Sequence, residues 1–206
     1  MTVRARVFTC FPAAWLATSG ACAVFAAAEP GAPSFAALLA ALYLLPVACF
    51  RVHDLLWPLV EGRSRLDAPE YSPWWGGHQF QIVYSAFPAL EAALRLVPGA
   101  YSAWLRLWGS KIGRRVHWTP RVEISDRSLL EVGDDVVFGH LAACYAHVVT
   151  RRRDRVLLYT RRIRIGRGVL LGAACRLGPG VRIDEGVALA ARTDLVFGRR
   201  IRSAHE

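Results

Sequence analysis

The sequence predicts a mainly β fold, a parallel β-helix preceded by a two-helix transmembrane hairpin and an interfacial helical connector. Three observations predict it. Two long apolar runs lie near the N-terminus, the middle of the chain is rich in aromatic residues, and a six-residue period occupies the chain from Lys111 onward. The boundaries that follow are 1–54 for the hairpin, 55–110 for the connector and 111–206 for the β-helix domain.

Hydrophobic residues make up 54% of the chain, yet its formal charge is +10. The two coexist because they occupy different regions: before Arg51 the only charged residues are Arg4, Arg6 and Glu29. Residues 7–28 form an uncharged, mostly apolar run, long enough to cross a bilayer as a helix. Glu29-Pro30-Gly31-Ala32-Pro33 stops that helix and turns the chain. A second apolar run covers residues 34–50 and extends towards Leu56 if His53 and Asp54 sit among headgroups. Ala17, Gly20, Ala21 and Ala40 are small enough for two helices to pack closely. Arg4 and Arg6 precede the first run, and Arg51, Arg63 and Arg65 follow the second, so both ends are expected on the cytoplasmic side. A cleaved signal peptide is the rival reading, with Ala26-Ala27-Ala28 as its cleavage site. The later chain reaches the same compartment either way.

The connector holds Trp57, Tyr71, Trp74, Trp75, Tyr84, Phe87, Tyr101, Trp104 and Trp108. Trp and Tyr favour the membrane–water boundary. Residues 87–97, with Glu91 and Arg95 four apart, read as an amphipathic helix, and 101–108 as another beyond Pro98-Gly99. They are expected to lie on the bilayer surface, or else to form a small cytoplasmic subdomain.

Arg supplies every basic side chain except Lys111. A basic surface suits anionic lipid, nucleotide cofactors or acidic proteins. No aromatic-and-basic module argues for nucleic acid. The five Cys show no CxxC pair and no even spacing, so neither zinc knuckles nor a disulfide framework is expected.

The period is read from Ile165, Leu171, Leu177, Ile183 and Leu189. Small or turn-forming residues follow each: Gly166, Gly172, Gly178, Asp184 and Ala190. Four places after each apolar residue stand Val169, Cys175, Val181, Val187 and Thr193. Upstream, Ile112, Trp118 and Ile124 keep the spacing, and after a two-residue slip so do Val132, Phe138 and Cys144. This is the signature of a β-helix with three short faces per turn. The apolar residues are expected to point into a narrow core, and the glycines to relieve strain at the corners. The period breaks at residues 148–162, an excursion that includes Thr150-Arg151-Arg152-Arg153-Asp154-Arg155.

Ile163-Arg164-Ile165-Gly166-Arg167-Gly168-Val169 and Leu177-Gly178-Pro179-Gly180-Val181-Arg182-Ile183 resemble the hexapeptide-repeat acyltransferases, among them the O-acetyltransferases of sugar and capsule pathways. The membrane-associated bacterial branch is resembled through Tyr71-Ser72-Pro73-Trp74-Trp75-Gly76-Gly77-His78-Gln79 and Arg121-Val122-Glu123-Ile124-Ser125-Asp126. Asp184-Glu185 and Ala190-Ala191-Arg192 depart from the family's Gly-containing steps. The resemblance implies a left-handed coil, a homotrimer with active sites in the grooves between subunits, and a place at the bacterial inner membrane with the catalytic domain cytoplasmic.

It also implies transfer of an acyl group, acetyl first among candidates, from acyl-CoA to a hydroxyl or amine. In this family a histidine at the root of an excursion is the general base, which points to His147. Neutral imidazole suits that task near neutral pH. His140 and Tyr145 are the candidates for touching the acceptor, and Gly172, Ala173, Ala174 and Arg176 for holding the CoA arm. No resident cofactor is expected. Related β-helix proteins bind zinc through three histidines, but His117, His140 and His147 lack the close pair this needs, so no metal is expected. The Arg151 to Arg155 cluster is suited to anionic lipid or an acyl carrier protein. The alternatives to a CoA-dependent enzyme are an acyltransferase fed by a carrier protein and a non-enzymatic membrane scaffold.

Overall fold

The computed structural model describes residues 2–202. They fall into two compact units, one of residues 1–60 and 68–86 and the other of 61–67 and 87–206, so the chain passes between the units three times.

The first unit is helical. Helix α1 (Val3–Thr9) starts on the Thr2 hydroxyl, which accepts the Ala5 N–H at 3.2 Å, and α2 (Phe11–Ala28) ends before Glu29. At the start of α3 (Ala32–Leu39) the Ser34 hydroxyl accepts the Gly31 N–H at 3.1 Å and donates to the Glu29 carbonyl at 2.7 Å. A π-helical turn, Ala40–Leu44, joins α3 to α4 (Leu45–Leu56). Its cause is Pro46, which has no N–H to give the carbonyl of Leu42. That carbonyl accepts the Tyr84 hydroxyl at 2.8 Å instead, and the neighbouring Ala41 carbonyl accepts the Trp15 indole N–H at 3.0 Å. Tyr84 belongs to α5 (Pro73–Ala86), the last element of this unit.

Val3–Ala28 and Ala32–Leu56 are each long and apolar enough to cross a membrane, the second reaching past Phe50 to Leu56. Their flanks remain exposed and apolar: Val7, Leu16, Val24, Phe25, Phe35, Leu39, Leu44 and Leu55.

The second unit holds the period. Strands two or three residues long stack into three parallel sheets. Lys111–Ile112, Leu130–Val132, Ile163–Ile165, Arg182–Ile183 and Arg200–Ile201 make the first face. His117–Trp118, Val137–Phe138, Leu170–Leu171 and Ala188–Leu189 make the second, and Glu123–Ile124, Ala143–Cys144, Arg176–Leu177 and Asp194–Leu195 the third. Four coils result, with an excursion after the second, as the period predicts. The periodic residues pair directly with one another from coil to coil, for example Ile165 with Ile183 and Leu171 with Leu189. They and the residues four places later, such as Val169, Cys175 and Val181, are buried along the axis.

The glycines that follow the apolar residues have a different reason from the expected one. A Cβ on Gly172 would lie 2.5 Å from the backbone nitrogen of Ala191, and one on Gly133 2.7 Å from that of Arg167. Side chains are excluded there because the next coil's backbone lies against them. The left-handed conformation falls three places after most of the apolar residues, at Arg115, Asp135, Leu141, Gly168, Ala174, Gly180, Gly186 and Arg192, but not after Trp118, Ile124 or Cys144.

Helices α6 (Pro88–Leu96) and α7 (Ala100–Leu107) precede the first coil. The Trp118 indole donates to the Ser102 hydroxyl at 2.9 Å while its ring stacks on Phe138 in the next coil. Glu91 on α6 is buried and accepts from Arg127 at 2.7 Å, from Arg95 at 3.0 Å and from the Tyr101 hydroxyl at 3.3 Å. Burial, with the Glu91 charge, raises the Tyr101 hydroxyl above its ordinary pKa and keeps it a donor.

Candidate active site

Two corners of the β-helix break the period, and they are stacked. Ile124 and Cys144 are register partners on the third face. The chain leaving Ile124 takes a longer path to Leu130 through residues 125–129, and the chain leaving Cys144 departs into the excursion. The first path carries Asp126 and the second carries His147.

They meet. The His147 imidazole nitrogen Nδ1 lies 2.8 and 2.9 Å from the two oxygens of Asp126. Asp126 is only 3% exposed, and its Oδ2 also accepts the Ala146 N–H at 2.9 Å. The His147 side chain keeps 18% of its surface open. A carboxylate held in place by a backbone N–H fixes the imidazole as the Nδ1–H tautomer, which makes Nε2 the basic nitrogen. Arg127, beside Asp126, is 1% exposed and bound to Glu91. The path that presents Asp126 is therefore anchored to α6.

The excursion is a β-hairpin, His147–Arg152 paired antiparallel with Arg155–Thr160, and Gly62–Arg65 adds a third strand beyond Arg155–Thr160. His147 faces Thr160 across the hairpin. Thr160 is buried, and its hydroxyl has no hydrogen-bond partner among the described residues.

Tyr145 lies two residues before His147. Its hydroxyl donates to Glu123 at 2.9 Å, and the Arg176 guanidinium lies 5.9 Å from its ring centre. Burial and the Glu123 carboxylate push the Tyr145 hydroxyl up to about 12, so it is a neutral donor near neutral pH. Cys144, three residues from His147, is fully buried, and burial with the neighbouring Cys175 pushes its thiol up to about 12. A thiol in that state is not a nucleophile.

The candidates thus separate into two groups. His147, Tyr145 and Arg176 stand on or at the end of the third face, together with Asp126 and Glu123. His140 does not join them. It is exposed at the preceding corner, where its carbonyl accepts the Ala174 N–H at 2.7 Å, so it lies beneath Gly172, Ala173 and Ala174. Among the described residues no three of His, Cys, Asp and Glu group as metal ligands would. Asp126 is the residue that sequence reasoning missed. The signal was the slip between Ile124 and Val132, one coil before the break at Cys144, which places the two irregularities on one corner.

No protein-family model matches the chain, and no curated protein does. Solved structures similar to it include acetyltransferases, among them one described as containing hexapeptide repeats. One such enzyme from Vibrio cholerae is 16% identical at a TM-score of 0.37, the match covering 54% of this chain and 82% of that one. A structure of the Vibrio cholerae enzyme complexed with acetyl coenzyme A gives 16% identity and a TM-score of 0.37, over 54% of this chain and 79% of that one. A maltose O-acetyltransferase from Clostridium difficile is 13% identical at a TM-score of 0.25, over 53% of this chain and 76% of that one.

Proposed function

We propose that this chain is a membrane-anchored acyltransferase that moves an acyl group, acetyl first among candidates, from acyl-CoA to a hydroxyl or amine acceptor, with His147 as general base. The observation that carries the reading is the pair His147–Asp126 at the root of the excursion, 2.8 Å apart and partly open to solvent.

The chemistry follows from that pair. Nε2 of His147 takes the proton of the acceptor as its oxygen or nitrogen attacks the thioester carbonyl. The carbon–sulfur bond then breaks, and the imidazolium returns its proton to the departing CoA thiolate. Asp126 stabilises the imidazolium between the two steps, and holding both substrates in line supplies much of the rate. The neutral, buried Cys144 thiol favours direct transfer over an acyl-enzyme.

In this reading Tyr145, with Glu123, orients the acceptor beside the base, and Arg176 helps to hold the CoA arm. Gly172, Ala173 and Ala174 leave room for a pantetheine arm, and His140 lines that corner. The coil is left-handed, and three copies assemble so that each groove is closed by a neighbour. Val3–Ala28 and Ala32–Leu56 cross the bacterial inner membrane, a reading supported by their length and exposed apolar flanks. The basic residues at both ends of this helix pair favour a cytoplasmic site.

The test uses detergent-purified protein. Acetyl-CoA or CoA should raise the unfolding temperature saturably in both the native protein and His147→Ala, while only the native protein releases CoA thiol with an acceptor. Absence of any shift in folded protein would reject the CoA donor, leaving a carrier-linked donor or a scaffold. Full activity in His147→Ala would reject the base.

A further inference from the structure

The excursion carries a charge cluster that the reaction does not use. Arg151, Arg152, Arg153 and Arg155 are exposed at the hairpin tip. The third strand adds exposed Arg63 and Arg65, brought in from a remote part of the sequence by the pairing of Arg63 with Tyr159 and Arg65 with Leu157. The acids in and beside this sheet are Asp154, Asp67, paired with Arg65 at 3.2 Å, and Glu61, paired with Arg162 at 3.4 Å.

Strand alternation sorts these residues. Arg63, Arg65, Arg152 and Arg155 share one face with Val148, Thr150, Leu157 and Tyr159. His147, Val149, Arg151, Leu158 and Thr160 share the other, where Leu158 and Thr160 are buried and Val149 and Arg151 are exposed. The basic, outer face is exposed towards the hairpin tip, while at its root the Tyr159 ring lies 5.7 Å from that of Phe197. Arg152 and Arg155 stand directly opposite one another across the strands, a like-charge pairing that costs stability unless an anion lies between them. Half-buried Val148, Leu157 and Tyr159 among the guanidiniums give the pattern of a surface that meets a bilayer, with apolar groups at the boundary and cations on phosphates.

Chain connectivity supports the same occupant. Arg63 follows Leu56, the end of the second long apolar helix, by seven residues, which at full extension span at most about 25 Å. The strand Gly62–Arg65 is tethered on its other side by residues 66–72 to α5. Chain length alone thus limits how far this strand can lie from the end of that helix.

We infer that the outer face of this sheet docks on the anionic headgroups of the bilayer, holding His147 at the surface where a lipid-linked acceptor would be met. The inference rests on the reading that Ala32–Leu56 spans the membrane. The negative surface of an anionic leaflet attracts such arginines within about a Debye length, about 8 Å at physiological salt.

The experiment uses the full chain in lipid nanodiscs, one set zwitterionic and one with about a third phosphatidylglycerol, read by amide hydrogen exchange. Peptides covering residues 62–65 and 148–157 should exchange about tenfold more slowly in the anionic discs. The difference should vanish at about 0.5 M salt and in R152Q/R153Q/R155Q. Coil peptides within residues 163–189 should be equally protected throughout, showing that the variant folds. Exchange indifferent to lipid charge would overturn the docking, and is also what a surface meant for an acidic protein would give. Separately, release of the native protein from membranes by alkaline extraction would reject the spanning reading itself.

Discussion

Glu91 and Arg127 form a 2.7 Å ion pair in which both side chains are at most 5% exposed, and Arg127 is the neighbour of Asp126. The pair ties the path that presents Asp126 to helix α6. Its charges are compensated by one another, by Arg95 and Tyr101, and by the Ser125 carbonyl at 3.3 Å from Arg127. Removing one partner leaves the charge of the other less compensated in a site closed to water. Glu91→Gln keeps the shape and removes the charge, and should cost about 3–5 kcal/mol. In a chain of this size that is a fall in unfolding temperature of roughly 10 °C. Thermal unfolding of Glu91→Gln, Arg127→Met and the double variant checks it. Additive losses would mean that the two residues do not act as a pair.

Asp126→Asn tests the geometry that fixes the imidazole. The amide fits the same space, but it no longer carries the charge that stabilises a protonated His147. Turnover should fall by about 10²–10⁴, the range for loss of general-base function, with acetyl-CoA affinity changed little. CoA-thiol release and a thermal shift with acetyl-CoA measure the two separately. Equal losses in both would assign Asp126 a structural role only.

Much of the coil was legible in the sequence, because each of its six-residue faces repeats the same burial demand. Ile165, Leu171, Leu177, Ile183 and Leu189 mark it without help from any other residue. The reason for the glycines was not legible. A period locates Gly172, but the nearby backbone that forbids its side chain belongs to the next coil. Long-range pairings were also hidden. Nothing local in Gly62-Arg63-Ser64-Arg65 announces a strand, and nothing in an amphipathic helix announces that Glu91 will be buried against Arg127. Asp126 lay between these cases. Its corner was marked by a slip in the period, whose meaning appears only when that slip is stacked on the break after Cys144.

Gly172 and Ala174 should respond in opposite directions. A methyl on Gly172 would meet backbone at 2.5 to 2.7 Å on three atoms of residues 189–191, so Gly172→Ala forces two coils apart. Overpacking of this kind costs about 1–3 kcal/mol. Ala174 sits at φ 57, where a side chain is disfavoured. Ala174→Gly should therefore gain stability, by up to about 1 kcal/mol after the greater entropy of unfolded glycine is counted. Unfolding midpoints in denaturant for the two variants give the comparison. A tolerated Gly172→Ala would mean that the coils are not stacked as closely as described.

Cys144 makes the protein sensitive to alkali. Burial, helped by Cys175, pushes its thiol up to about 12 from an ordinary 9.0. Below the ordinary value the thiol is neutral in folded and unfolded chains alike, and the contribution is fully present. As pH rises beyond it the unfolded chain releases the proton while the folded chain keeps it, so stability drains away until the folded value is reached. The steepest loss is about 1.4 kcal/mol per pH unit for one group. Tyr145 loses its proton in the same sense but only from about pH 10 upward, because its ordinary value is higher. The interval between about pH 9 and 10 lies below the tyrosine range, and comparison with Cys144→Ala separates this thiol from the other cysteines. Unfolding temperatures of the native protein should drop across that interval, and those of Cys144→Ala should drop measurably less. Parallel declines would place the Cys144 thiol in contact with water and reopen it as a nucleophile beside His147.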